Sequence, residues 1–380
     1  MAFQLSNVIQ NRIIQMNLIL LIAGYLLYKK YNRVAFLFLV FIVFICNEVI
    51  NYFTGCDIYS SEWRTEIIYS GESFDSITTD EWNSINSNMT EGYFKSGECI
   101  PWQESERNRF DHFIEILDIK NGDYVLDCGC GYGGLVEYLR DKDINAYGIT
   151  ITKSQYEKNR SNIGDYYYYG DYTIFNPELV GKFDHIILPG SLEHTFGGNP
   201  KLMRTYQNKY EKMKEMFAMM KQYFKSNSLK KKILTTTLHI NPKFKDTYQA
   251  FVTERYYGGS YPLINEYSVS DSLLGAGYDV LSNEDYTWHY YYASYCNLSH
   301  FGNPFDIGIP MTLFALPFYP HILYAYFYWN DGYWMWQFDG KMHERRTTEE
   351  CDPSQECDLT FEPDIDKRPT TLFYTIAQLN

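Results

Sequence analysis

One stretch constrains this chain more than any other. From Tyr124 to Gly134 it reads Tyr-Val-Leu-Asp-Cys-Gly-Cys-Gly-Tyr-Gly-Gly, a short apolar run passing directly into glycines. A strand that turns tightly into a helix needs residues without a side chain where the backbone doubles back, where a ligand approaches and where helix packs on strand. Gly129, Gly131, Gly133 and Gly134 supply those places, so the stretch predicts a nucleotide-binding turn.

Two cofactors compete for such a turn. Gly129, Gly131 and Gly134 meet the dinucleotide spacing, but that fingerprint also asks for an acid about 20 positions on, to bind a ribose. The chain has Tyr147-Gly148-Ile149-Thr150 there. An Asp two residues before the first glycine, followed by Gly-x-Gly-x-Gly, instead resembles motif I of the S-adenosylmethionine (SAM) methyltransferases. NAD and a plain glycine turn are the competing readings.

The pattern around the turn is that of alternating strands and helices. Glu104 to Leu117 carries Phe110, Phe113, Ile114 and Leu117 at helical spacing and predicts an amphipathic helix packed on a sheet. After the turn, Leu135 to Arg140 starts a helix whose free N–H groups suit the carboxylate end of a ligand. Strands are expected at 144–150, 166–169, 183–190 and 231–240, with a helix over 153–162. This alternation implies an α/β doubly wound, Rossmann-like sheet with its ligands at the carboxyl ends of the strands.

At 380 residues the chain is long enough for a sizeable core. A net charge of -14 argues against nucleic acid as its partner. The cysteines follow no disulfide framework and suit a reducing compartment; Cys351, Cys357 and His343 fit no zinc spacing, so no metal is expected. Leu18 to Tyr28 and Val34 to Cys46 are apolar runs of 11 and 13 residues flanking Lys29, Lys30 and Arg33. Residues 1–53 therefore read as a membrane-anchoring hydrophobic helical hairpin, with a buried hairpin of a globular domain as the alternative. The basic loop argues for a cytosolic loop. A shallow hairpin in the cytosolic leaflet reconciles this with a catalytic domain facing the cytosol, where SAM is found. Residues 54–88 read as a linker or lid, 89–300 as the catalytic domain and 301–380 as an aromatic-rich cover, an acidic loop and a last strand over Thr370 to Gln378.

Beyond the turn, the sequence resembles the cyclopropane-fatty-acid synthase and mycolic-acid cyclopropane synthase family of SAM-dependent methyltransferases. Val125 to Gly133 resembles the family's Leu-Leu-Asp-x-Gly-Cys-Gly-Trp-Gly. Tyr147 to Gln155 is similar to its Val-Gly-x-Thr-x-Ser-x-x-Gln, and Gly170-Asp171-Tyr172 to its acidic loop beside the adenine. Gly190-Ser191-Leu192-Glu193-His194 resembles Gly-x-x-Glu-His, and His289-Tyr290 the His-Tyr pair. The resemblance implies SAM as cofactor, bound by Thr90, Asp127, Gly129, Gly131, Gly133, Thr150, Gln155, Asp171 and Gly190. It also implies a membrane lipid as substrate: an acyl-chain alkene takes the methyl group, and a bound bicarbonate removes a proton so that a ring closes.

Of the family's bicarbonate ligands, Glu193 and Tyr290 survive. Thr90 stands where the family has Ser, Glu91 where it has Cys, and Thr235 on the fifth strand where it has His. Those changes put bicarbonate in question, and Glu91 becomes the candidate to supply negative charge directly. A methyltransferase for another acceptor, such as a sterol or small amine, and a degenerate SAM-binding membrane protein are the alternatives. Finally, Lys201 to Lys232 holds ten Lys or Arg against two acids. With Met213, Met216, Phe217, Met220, Tyr223 and Phe224 on one face, it reads either as a helix for an anionic membrane surface or as a sheet-covering helix with solvated lysines.

Overall fold

A computed structural model describes residues 42, 91–95, 100–195, 206–244, 263–264, 267–287, 289–290 and 370–379. Thr90, the apolar amino-terminal runs apart from Ile42, the 54–88 segment and the 301–369 stretch lie outside the described residues. Strands β1 (Tyr124–Cys128), β2 (Asn145–Thr150), β3 (Tyr167–Tyr169), β4 (His185–Pro189), β5 (Lys232–Ile240), β6 (Leu263–Ile264), β7 (Asp279–Asp285) and β8 (Thr370–Gln378) form one sheet. Its order is β3-β2-β1-β4-β5-β8-β7, with β6 pairing β5. The first five strands are parallel, while β8 runs antiparallel to both β5 and β7. The strand order reverses between β1 and β4, which puts the ligand crevice of a doubly wound sheet at the carboxyl end of β1.

Helices α1 (Trp102–Leu117) and α2 (Gly134–Arg140) cover one face; α4 (Tyr206–Met220) and α5 (Ser268–Gly275) cover the other, and α3 (Lys153–Asn162) leads into β3. Because side chains alternate along a strand, the two faces can be assigned residue by residue. Val125, Ile187, Leu234 and Leu238 pack with Phe110, Phe113 and Leu135 on the α1 side. Leu126, Cys128, Ile186, Leu188 and Ile233 pack with Met213, Met216 and Phe217 on the α4 side. Asp127 and Thr236 therefore face α1.

The basic helix belongs to this core. Met213, Met216, Phe217, Met220, Tyr223 and Phe224 are all buried. The neighbouring lysines are engaged within the fold: Lys225 with Asp184 at 2.5 Å, Lys230 with Asp123 at 2.6 Å, Lys212 with Glu215 at 2.9 Å. The sheet-covering reading of α4 is the one observed. Among the described residues no helix is long and apolar enough to cross a membrane, and no cluster of residues suits a metal ion.

Candidate active site

The glycine turn has the geometry its sequence predicts. Gly129, Gly131, Gly133 and Gly190 all have positive φ, of 83°, 53°, 82° and 57°. A Cβ on Gly129 would lie 2.5 Å from the Ser191 Cβ, and one on Gly133 only 2.3 Å from the Tyr167 hydroxyl oxygen. Ser191 is fixed there by donating to the Cys128 carbonyl at 2.8 Å. The turn thus brings the end of β1 against the start of the Ser191–His194 segment and leaves room only for backbone.

At the end of β2, the Thr150 hydroxyl donates to Gln155 Oε1 at 3.0 Å and accepts from the Thr152 N–H at 3.2 Å. Both side chains are buried, and no acid stands at this strand end to receive a ribose. Asp171, after β3, is exposed and accepts from the Thr173 N–H and hydroxyl at 2.8 and 2.7 Å, closing a local turn.

Asp127 is completely buried, yet neither carboxylate oxygen has a hydrogen-bond partner among the described residues. Burial pushes its pKa up to about 7, with the Arg109 cation pulling the other way. An acid so placed at the mouth of a glycine turn suits the ammonium of an amino-acid ligand, because a cationic donor would satisfy both its charge and its lone pairs. The residues present therefore fit SAM.

Across the α1 face lies a cluster of acids. Glu91 is 1% exposed and forms an ion pair with Arg109, itself 1% exposed, at 3.1 Å. It also accepts from the Thr236 hydroxyl at 2.8 Å. The same Thr236 oxygen accepts the Gly190 N–H at 2.9 Å, so β4, β5 and the 91–95 segment meet at this hydroxyl. Glu193, on a short 3-10 turn over Leu192–His194, is equally buried, and its Oε2 has no hydrogen-bond partner among the described residues. Burial and the nearby Glu91 charge push the Glu193 pKa well up, against backbone hydrogen bonds that lower it. Burial raises Glu91 as well, but Arg109 and Thr236 oppose the rise. The two neighbouring carboxyls thus have unequal partners: Glu91 has an ion pair and a hydroxyl donor, whereas Glu193 has a carboxyl oxygen with no hydrogen-bond partner among the described residues.

Tyr290 is 5% exposed and packs in the α1-side core. Thr235 does not reach the site. It faces the α4 side, where its hydroxyl is buried without a hydrogen-bond partner among the described residues, and the hydroxyl at the site is that of Thr236. Arg109 was not singled out by sequence reasoning. The signal that marks it is its position four residues before Phe113 and eight before Leu117, on the buried stripe of α1.

This sheet order, with an antiparallel strand inserted next to the fifth and a glycine turn at the end of the first, defines the class of SAM-dependent methyltransferases. The model of the mycolic acid cyclopropane synthetase family matches residues 87–297, and the chain belongs to that family, whose cofactor is SAM. A 134-residue stretch is 28% identical to cyclopropane-fatty-acyl-phospholipid synthase of Escherichia coli (strain K12), covering 33% of each chain. Another of 112 residues is 31% identical to N-methyltransferase 4 of Papaver somniferum, covering 27% of this chain and 31% of that protein. The matches thus span about a third of the length of these curated relatives. The cyclopropane synthase MmaA2 from Mycobacterium tuberculosis shares the fold, with a TM-score of 0.51 and 12% identity over 81% of this chain and 94% of that one.

Proposed function

We propose that this protein transfers the methyl group of SAM to the alkene of an unsaturated fatty-acyl chain in a membrane phospholipid, adding one carbon as a methylene bridge or a methyl branch. The observation that carries this reading is the buried Arg109–Glu91 ion pair with Glu193 beside it, next to the cofactor turn. Bound SAM supplies an electrophilic methyl group. Methyl transfer to an alkene creates a carbocation, which in an apolar cavity needs fixed negative charge close by. Glu91, oriented by Arg109 and Thr236, holds that charge.

Ring closure releases one proton, and Glu193 is the group to accept it. Burial and the Glu91 charge raise its proton affinity, and a cationic ligand beside it readies the carboxylate by drawing the pKa back down. Tyr290, buried in the α1-side core after β7, is assigned to the acceptor side by sequence. The residues fit bicarbonate poorly, because an anion next to Glu193 would also face the carboxylate of Glu91. Asp127, the glycines, Thr150 and Gln155 hold the cofactor, with Asp171 at the adenine side and Thr90 assigned to the same role by sequence. The two amino-terminal apolar runs support membrane attachment, and the use of SAM supports a catalytic domain on the cytosolic side.

The test is SAM turnover with vesicles of unsaturated phospholipid, of saturated phospholipid, and with none. S-adenosylhomocysteine should form only in the first case, with Glu193→Gln inactive. Turnover independent of unsaturation would refute the acceptor. The match to a plant N-methyltransferase supports a small amine as second reading, and methylation of an amine but no lipid would establish it.

A further inference from the structure

The 91–95 segment that carries Glu91 is held from outside the site by a stack of rings. The Tyr93 ring lies between two imidazoles, with His112 on one face at 4.3 Å and 10° and His289 on the other at 4.4 Å and 23°. The Phe94 N–H donates to His289 Nδ1 at 3.0 Å, and the Tyr93 N–H to the Ser105 carbonyl at 2.9 Å. His112 in turn shares a 2.8 Å hydrogen bond with the Tyr286 hydroxyl, and Tyr286 stacks on Tyr374 of β8 at 4.0 Å and 7°.

His289 stands on a turn that is itself fixed to the sheet. The His289 N–H donates to the Tyr286 carbonyl at 3.0 Å. The Leu372 N–H of β8 donates to the Thr287 hydroxyl at 2.9 Å, and the Thr287 N–H to Asp285 at 2.9 Å. The next residue on the same turn is Tyr290. One imidazole thus joins the element that carries Glu91 to the element that carries Tyr290, although the two are 195 positions apart where they meet.

We propose that His289 is a positioning residue: by accepting the Phe94 N–H and covering the Tyr93 ring, it fixes the 91–95 segment so that Glu91 reaches Arg109 and Thr236 across the acceptor side. This rests on the proposed role of Glu91. Nδ1 can accept only while it carries no proton, so the ring must be neutral and protonated at Nε2. Burial holds it there, pushing the His289 pKa down to about 4.

Two substitutions separate the two contacts. His289→Phe keeps a ring over Tyr93 but removes the acceptor; His289→Asn removes the ring but places an amide oxygen near the position of Nδ1. Amide hydrogen exchange of the 91–95 segment, SAM affinity, and kcat and KM with unsaturated phospholipid vesicles are measured for both in the full chain. For His289→Phe the expected result is faster exchange at Phe94, a roughly tenfold loss in kcat, and SAM affinity within about twofold of wild type, the order of one lost hydrogen bond. His289→Asn should restore most of the protection at Phe94 and bring kcat to within about threefold. Unchanged exchange in His289→Phe, or His289→Asn no better than His289→Phe, overturns the proposal. If either variant fails to fold, the exchange and activity of the other decide against wild type in the same way. Inactivity of the wild-type protein on the lipid would refute the acceptor, while the exchange measurement would still judge the clamp.

Discussion

Removing the guanidinium of Arg109 should destabilise the protein in a strongly pH-dependent manner. Arg109 and Glu91 are each 1% exposed and sit 3.1 Å apart. Breaking a buried ion pair by deleting one partner costs about 3–5 kcal/mol, because the remaining charge stays in a medium that cannot solvate it. Glu91 has an escape, which is to take up a proton. Burial already raises its pKa and Arg109 works against that rise, so Arg109→Met moves it higher still. Asp127, also lowered by Arg109, moves the same way from about 7.

The sign follows. A group whose pKa in the folded state lies above its unfolded value contributes stability at low pH and loses it as pH rises through the folded value. The deficit of Arg109→Met should therefore be about 3 kcal/mol or more near pH 8.5 and shrink toward about 1 kcal/mol on acidification to pH 5, as Glu91 takes up a proton and mainly a hydrogen bond is missing. At roughly 2–4 °C per kcal/mol, Tm should fall by about 6–12 °C at the alkaline end. Thermal unfolding across that range, with Glu91→Gln/Arg109→Met as control, measures it; the double variant should recover most of the alkaline loss. A deficit independent of pH, or one that grows on acidification, would refute the reasoning.

Two further outcomes follow from the cofactor side. Because Asp127 ionises near pH 7 and its carboxylate is the form suited to an ammonium ligand, SAM affinity measured calorimetrically should strengthen from pH 6 to pH 8. Asp127→Asn should weaken it about tenfold or more and flatten the dependence. In Gly129→Ala the new methyl would meet the Ser191 Cβ at 2.5 Å on a backbone with φ of +83°, so urea unfolding should report a loss of about 2 kcal/mol and SAM binding should fall with it.

The cofactor half of the site is legible in the sequence because its constraints are local. Glycines at positive φ, Thr150 bonded to Gln155, and an Asp at a strand end lie within about one βαβα unit. The acceptor half is assembled from residues far apart, and there local rules fail in identifiable ways. In Thr235-Thr236-Thr237 three identical residues erase the alternation that would say which side chain faces α1, and an error of one position turns a site hydroxyl to the opposite face. Arg109 lies among Glu104, Glu106, Arg107 and Asp111 and reads as one more solvated charge; only its helical phase with Phe113 and Leu117 gives it away. The ring stack on Tyr93 brings together residues from the 91–95 segment, α1 and the turn after β7, and no spacing in the sequence encodes it.

The central claim is that the methyl group of SAM ends on a lipid acyl chain. Incubating the protein with SAM deuterated in that methyl group and vesicles of a cis-unsaturated phospholipid, then analysing the released fatty acids by mass spectrometry, tests it most directly. Acyl chains heavier by one labelled carbon unit should form in step with S-adenosylhomocysteine and be absent with Glu193→Gln. Label recovered in the headgroup or another acceptor, with the acyl chains unlabelled, would contradict it.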